Sequence, residues 1–271
     1  MSVVGFDIGN NCYVGVARAG VIETVPNEYS DRCSPAIVGF TRLQRVVGTT
    51  AKNQMVTNFK STVTQIKRLV GRKYDEPSMA SEFALLPYTC IRMDNGDIGI
   101  KVNYREEDRV FNPEQVLAML LTYLKQTAED NLNSKVADVV IGVPAFYTDY
   151  QRRAVLSAAQ ITGLNCLKVM NETSAVALCY GLYKQDVPAA EEKPRHVAFI
   201  DVGHFSYQIC IAAFNKGKIK ILSTAWDDSL GGREFDNRLR DYFCQEFLVS
   251  PPSNAVTLCG STGLHMGGLG V

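Results

Sequence analysis

The sequence predicts an α/β fold built on a duplicated β-hairpin unit, and three observations predict it. An Asp-X-Gly bend between two apolar runs at Gly5–Tyr13 (GFDIGNNCY) returns 194 positions later within Val197–Ala212 (VAFIDVGHFSYQICIA). Strand and helix patterns alternate between about residues 112 and 183. The composition is globular, with 46% hydrophobic residues and 28 basic against 28 acidic residues in 271. That charge balance supplies no pull toward nucleic acid or a membrane surface, so neither is expected as a partner.

The first hairpin joins Val3–Phe6 to Tyr13–Ala17, both rich in β-formers, through Gly9, Asn10 and Asn11, which tolerate the positive φ of a tight turn. Short β-type runs follow at Pro35–Phe40 and Arg45–Gly48. Ser61–Gly71 reads as a helix with Val63, Ile66, Leu69 and Val70 inward. Thr89–Met93 and Ile98–Val102 flank Asp94-Asn95-Gly96-Asp97, a second hairpin signal.

Asn112-Pro113-Glu114-Gln115 supplies an N-cap, a proline at the first helical position and a glutamine for a capping box. The helix it opens runs to about Asn131, with Val116, Leu120, Tyr123, Leu124 and Leu132 on one stripe. A buried strand at Val136–Val143 ends at Pro144, and Thr148 or Asp149 caps a helix through Ala159. A strand at Leu167–Met170 leads into the helix Glu172–Tyr183.

Lys184–Arg195, polar and with two prolines, reads as a connection between two lobes, 1–183 and 196–248. After the second hairpin, a turn at Asn215-Lys216-Gly217-Lys218 leads into the strand Ile219–Ala225, and Leu230-Gly231-Gly232 opens a helix Glu234–Phe247. Trp226 is expected in the core. The Gly- and Ser-rich residues 249–271 read as a disordered tail whose CGSTG lacks the strand and helix a phosphate loop needs.

The eight cysteines contain no CxxC pair and several lie in apolar runs, so they read as buried free thiols in a reducing compartment. His196, His204 and His265 are too dispersed for a metal cage. No apolar run approaches the ~18 residues of a membrane span, and the N-terminus lacks a signal-peptide pattern. A soluble, cytoplasmic protein is expected.

An acid beside exposed amides and small residues suits a metal-bound phosphate: the amides bond the oxygens while the carboxylate holds Mg²⁺ through water. A single such bend also describes an ordinary hairpin turn; its repetition strengthens the phosphate reading, with the two bends facing each other across a cleft. The GxxxxGK[ST], GxGxxG and GxSxG motifs are absent. Lys67 can donate to a phosphate or orient a water, or be a solvated helix-face lysine. Glu172, after a predicted strand, can hold Mg²⁺ through water or be a helix N-terminal acid favoured by the dipole.

Together, GFDIGNNCYVGVARAG, NEYSDRCSPA, IKRLVGR, VIGVPAFYTDYQRRAV, AAQITGLNCLKVMNETSAVALCYGLYKQD, EEKPRHVAFIDVGHFSYQ and LGGREFD resemble the ATPase domain of the seventy-kilodalton heat-shock chaperones, from about Ser2 to Leu248. NEYSDRCSPA and DVGH resemble most the hundred-and-ten-kilodalton branch.

The resemblance implies a duplicated actin/hexokinase-like ATPase fold, two lobes around a nucleotide cleft, with ATP or ADP and Mg as cofactors. It implies a first phosphate loop at Asp7, Gly9, Asn10, Asn11 and Cys12, and a second at Gly203, His204, Phe205 and Ser206. Lys67, Glu172 and Asp201 match the family's catalytic lysine, glutamate and second metal-side aspartate. Asp7, Glu172 and Asp201 would hold Mg through water, and Gly231 and Gly232 match the turn beside the ribose and phosphates.

The implied function is protein folding in the stress response, as a chaperone or as the nucleotide-exchange co-chaperone of seventy-kilodalton chaperones, with those chaperones and unfolded clients as partners. The resemblance also implies an N-terminal fragment lacking the rest of the second lobe, the adenosine-binding helix and loop, and the substrate-binding half. His204 and Phe205 replace glycines of the smaller chaperones, and Gln208 an aspartate, so hydrolysis is expected to be weak or absent. A nucleotide-independent interaction module or defective truncated product, and a small-molecule kinase of the same fold, are the rival readings.

Overall fold

The computed structural model of the chain describes residues 3–18, 20–184 and 186–249. The tail expectation therefore lies outside the described residues apart from Val249, which closes the last helix. A mixed sheet forms the centre, in the order Asn165–Asn171, Asp138–Val143, Val3–Ile8, Asn11–Arg18, Val21–Thr24, with Ser34–Pro35 also paired to Asn11–Arg18. The first three strands run parallel and the others antiparallel.

Parallel neighbours need crossovers, and the helices Pro113–Leu132 and Asp149–Ile161 supply them. Both open on complete capping boxes, Asn112 with Gln115 and Thr148 with Gln151, so Thr148 rather than Asp149 is the cap. Val116, Leu120 and Leu124 are fully buried, and Tyr123 and Leu132 pack against the same core. These side chains cover the sheet face that carries Val4, Phe6 and Ile8.

Three smaller antiparallel sheets complete the described chain. Glu107–Phe111, Ile98–Tyr104 and Thr89–Arg92 form one, and Arg45–Val47, Val38–Phe40 and Thr62–Val63 another. The third, Arg195–Val202, Tyr207–Asn215 and Lys218–Asp227, repeats the meander Val3–Ile8, Asn11–Arg18, Val21–Thr24. The helix Glu172–Tyr183 continues directly from Asn165–Asn171 and packs Ala177 and Tyr180 against Phe199, Ala212 and Phe214. It thereby joins the central sheet to its copy.

Two expectations are corrected. Ser61–Gly71 is helical only over Ile66–Leu69. The β-branched Thr62 and Val63 pair with Gly39 and Val38, and Gln65 turns the chain at φ 54°, which no helix continues through. Trp226 is half exposed instead of in the core, with its ring centroid 6.4 Å from that of Phe146.

Candidate nucleotide site

The two bends are built alike but not identically. In the first, Asp7 stands opposite Tyr13, and the Gly9 amide donates to the Asn11 carbonyl at 3.1 Å. In the second, Asp201 stands opposite Gln208, and the Gly203 amide donates to the Ser206 carbonyl at 2.9 Å. Because Asp201 and its partner are one residue further apart in the chain, the second turn is wider and brings an amide side chain beside its acid. The Gly232 amide donates to the Gly203 carbonyl at 2.9 Å, and a Cβ on Gly231 would lie 2.7 Å from that oxygen, so only glycine lets this turn seat so closely.

Four charged residues from separate segments meet between the bends. Lys67 forms an ion pair with Glu172, both side chains being largely buried. Gly142 lies between Glu172 and Asp7: its missing Cβ would stand 3.6 Å from the Glu172 Cγ and 4.0 Å from the Asp7 Cα.

Asp7 is an exposed residue. Desolvation by the surrounding protein raises its pKa, Lys67 lowers it, and Glu172 and Asp201 raise it further, for a net rise. Asp201 is raised by burial and by Glu172, against the lowering effects of Lys67 and Gln208.

Three carboxylates against one ammonium leave an excess of negative charge, the donor set that a divalent cation fits. Among the described residues no three acidic, histidine or cysteine side chains converge to ligate an ion directly. An ion here would keep water ligands, as Mg²⁺ prefers.

Of the other expected site residues, Asn10 and Asn11 are exposed at the first turn. Cys12 is buried in the core, its thiol pushed up to about 12 by burial and the neighbouring Asp7, so only its backbone faces the turn. Phe205 and Ser206 are buried as well, and the Phe205 ring lies beneath Arg68 at 5.3 Å instead of filling the cleft. Of the two bulky residues of the second turn, His204 is the one partly accessible. A groove of about 530 Å³, lined by Gly71, Phe146, Trp226 and Asp228 among others, contains none of the four charged residues.

Several residues at the site carry no motif of their own. Gln208, buried, accepts from the Ala145 amide at 2.8 Å and donates to Glu172 at 2.9 Å and Asp201 at 3.2 Å. The Tyr147 hydroxyl donates to the Lys67 carbonyl. Arg152 donates to the Tyr147 carbonyl at 3.0 Å and to Asn171 Oδ1 at 2.7 Å, tying the loop after Pro144 to the residue before Glu172. Only Gln208 left a trace in the sequence, as a departure from the smaller chaperones.

Comparison with known proteins gives the family. A family model described as Hsp70 protein matches residues 3–251. Heat shock 70 kDa protein 4L of Homo sapiens is 55% identical over 248 residues, which are 91% of this chain and 30% of that protein. Heat shock 70 kDa protein 4 of Rattus norvegicus is 56% identical over the same shares. The 97 kDa heat shock protein of Strongylocentrotus purpuratus is 52% identical over 91% of this chain and 28% of its own length. The chain thus spans about 30% of the length of the curated relatives it matches, and the protein 4 relatives stand in the hundred-and-ten-kilodalton branch. With its duplicated meander, its facing acidic bends and a family match over nearly all of its described residues, this chain belongs to the Hsp70 family and has that family's actin-like ATPase fold.

Proposed function

We propose that the chain is the nucleotide-binding part of a chaperone or co-chaperone of the hundred-and-ten-kilodalton type, taking Mg-ATP or Mg-ADP between its two turns. The observation that carries this reading is the convergence of Asp7, Lys67, Glu172 and Asp201 between two copies of one hairpin. The turns Gly9–Asn11 and Gly203–Ser206, with Gly231, would offer the phosphates the backbone amides that are not already bonded within the turns, as those of Gly9, Gly203 and Gly232 are; Cys12 would serve through its backbone alone. Asp7, Glu172 and Asp201 would hold a hydrated magnesium ion, whose chemistry is to neutralise phosphate charge.

Lys67 would orient the attacking water, and its carbonyl is steadied by Tyr147. Gln208 spans Glu172 and Asp201 with a neutral amide where an acid would strengthen the pull on a proton of that water, which favours binding over rapid hydrolysis. Residues 1–183 and 196–248 would act as the two lobes, joined through 184–195. Seventy-kilodalton chaperones, unfolded clients and a cytoplasmic setting complete the reading; no helix among the described residues is long and apolar enough to cross a membrane.

A second reading, a partner-binding module that needs no nucleotide, is favoured by the exposed apolar side chains of the last helix, Phe235, Leu239, Tyr242 and Phe243. Calorimetric titration with Mg-ADP and Mg-ATP separates the two. Micromolar binding that disappears in Asp7→Ala/Asp201→Ala is the expected result. Equal affinity in the double variant would sink the site assignment, and no binding by a folded chain would leave the partner-binding module.

A further inference from the structure

A second charged cluster is buried beside the candidate site. Glu82, on the helix Met79–Ala84, accepts hydrogen bonds from Arg68 and from both terminal nitrogens of Arg233, the latter at 2.8 and 3.1 Å. All three residues are less than one-tenth exposed. Arg233 also donates to Gln65 Oε1 at 3.1 Å and pairs with Glu234 at 3.1 Å. Burial pushes the Glu82 carboxyl up, but the hydrogen bonds and charges of the two arginines outweigh it and hold the group at about 2. A buried ion group of this kind is weak as a source of stability, because desolvation offsets its attraction; what it supplies is directional registry.

Each arginine leads to a different part of the site. Arg68 directly follows Lys67 on the helix Ile66–Leu69, donates to the Asp228 carbonyl and lies over the Phe205 ring. Arg233 is the second residue of the helix Gly232–Val249, and its amide donates to the His204 carbonyl at 2.6 Å, beside the Gly232 contact with Gly203. One carboxylate therefore connects, through two guanidinium groups, the short helix that carries Lys67 and the second turn of the site. Without it two buried cations would face each other with Glu234, partly exposed, as the nearest remaining counter-charge.

We propose that Glu82 is a positioning residue for the nucleotide site, setting the separation of Lys67 from the turn Gly203–Ser206 through Arg68 and Arg233 without touching the ligand. The proposal rests on the nucleotide reading above, and its test separates the two. Mg-ADP affinity is measured by calorimetry on the full chain and on Glu82→Gln and Arg233→Lys, with folding followed by circular dichroism. Amide hydrogen exchange is followed in the ligand-free proteins at residues 203–206 and 230–235, with 113–132 as the remote control.

Glu82→Gln is expected to weaken Mg-ADP about tenfold or more. Arg233→Lys, which keeps charge but loses the fork, is expected to weaken it about threefold or more. In both, exchange accelerates at the turn and not in the remote helix; acceleration everywhere means a merely structural role and overturns the proposal.

A folded Glu82→Gln chain with affinity within about twofold and unchanged turn exchange overturns the proposal and leaves the nucleotide reading standing. If Glu82→Gln does not fold, Arg233→Lys decides by the same two readouts. Absence of Mg-ADP binding by the unaltered chain overturns the nucleotide reading and, with it, Glu82 as a nucleotide-site residue.

Discussion

Gln208 shows how much a site can depend on a side chain that no motif marks. Its carbonyl is satisfied by the Ala145 amide, which orients the amide nitrogen toward Glu172 and Asp201. The acids themselves give a pH prediction. Asp7 and Asp201 have raised pKa values, so the native chain holds these protons more tightly than the unfolded one. Their contribution to stability is complete below the ordinary value of 3.8 and is lost as pH rises through the raised native values. Asp7→Asn is therefore expected to raise the melting temperature of the ligand-free chain at neutral pH while weakening Mg-ADP binding by about tenfold or more. Scanning calorimetry and titration check the two signs: a lower melting temperature would show that the Asp7 carboxylate stabilises the ligand-free fold, and unchanged affinity would remove it from the site.

At the level of elements, local chemistry and tertiary pairing share control. The box at Thr148 aligns the helix Asp149–Ile161, from which Arg152 reaches back to the loop after Pro144. Thr148→Ala is expected to cost about 1 kcal/mol in denaturant unfolding. Gly71 takes φ 65°, and a Cβ there would stand 2.5 Å from the Gln151 Cα. Gly71→Ala is expected to cost about 1–3 kcal/mol or more, since backbone and not a flexible side chain occupies the space.

The capping box at Asn112 is legible in sequence because a cap is a contact three residues long, whereas at the next helix Thr148 and Asp149 both offer a cap and the structure selects Thr148. The Ser61–Gly71 segment is not legible in this way. Val63, Ile66, Leu69 and Val70 are all buried as their spacing predicts, yet the strand Val38–Phe40 claims the first of them. Burial was readable there and conformation was not, because an apolar spacing of three or four residues does not state which partner buries it.

Across the whole molecule the two meanders have different surroundings. Val4, Phe6 and Ile8 are buried under the helix Pro113–Leu132, and their strand pairs with Asp138–Val143. The positions equivalent to Phe6 and Ile8, Ile200 and Val202, are 63% and 57% exposed, and among the described residues their strand pairs only with Tyr207–Asn215. An open edge and apolar surface favour association of chains.

Phe235, Leu239, Tyr242 and Phe243 add a helical apolar face at the spacing of one side of a helix. The chain is expected to self-associate as its concentration rises. Leu239→Glu/Phe243→Glu is expected to shift it toward monomer without lowering its melting temperature. Light scattering across a concentration series checks this, and an unaltered chain that stays monomeric would refute it.

By itself, the sequence determined the duplicated hairpins, the alternation of strand and helix, the capped helices and the family, because each of these is written in contiguous residues: Asp7 with Gly9, Asp201 with Gly203, Asn112 with Gln115. Only the tertiary structure decided which lone charges meet. Lys67 pairs with Glu172, Gln208 bridges Glu172 and Asp201, and Glu82 joins Arg68 to Arg233 across residues more than 150 positions apart in the chain. The physical reason is that an isolated lysine, glutamine or glutamate has the same local preferences wherever it stands. Its role is set by the dielectric, the partners and the charges that the folded chain brings around it.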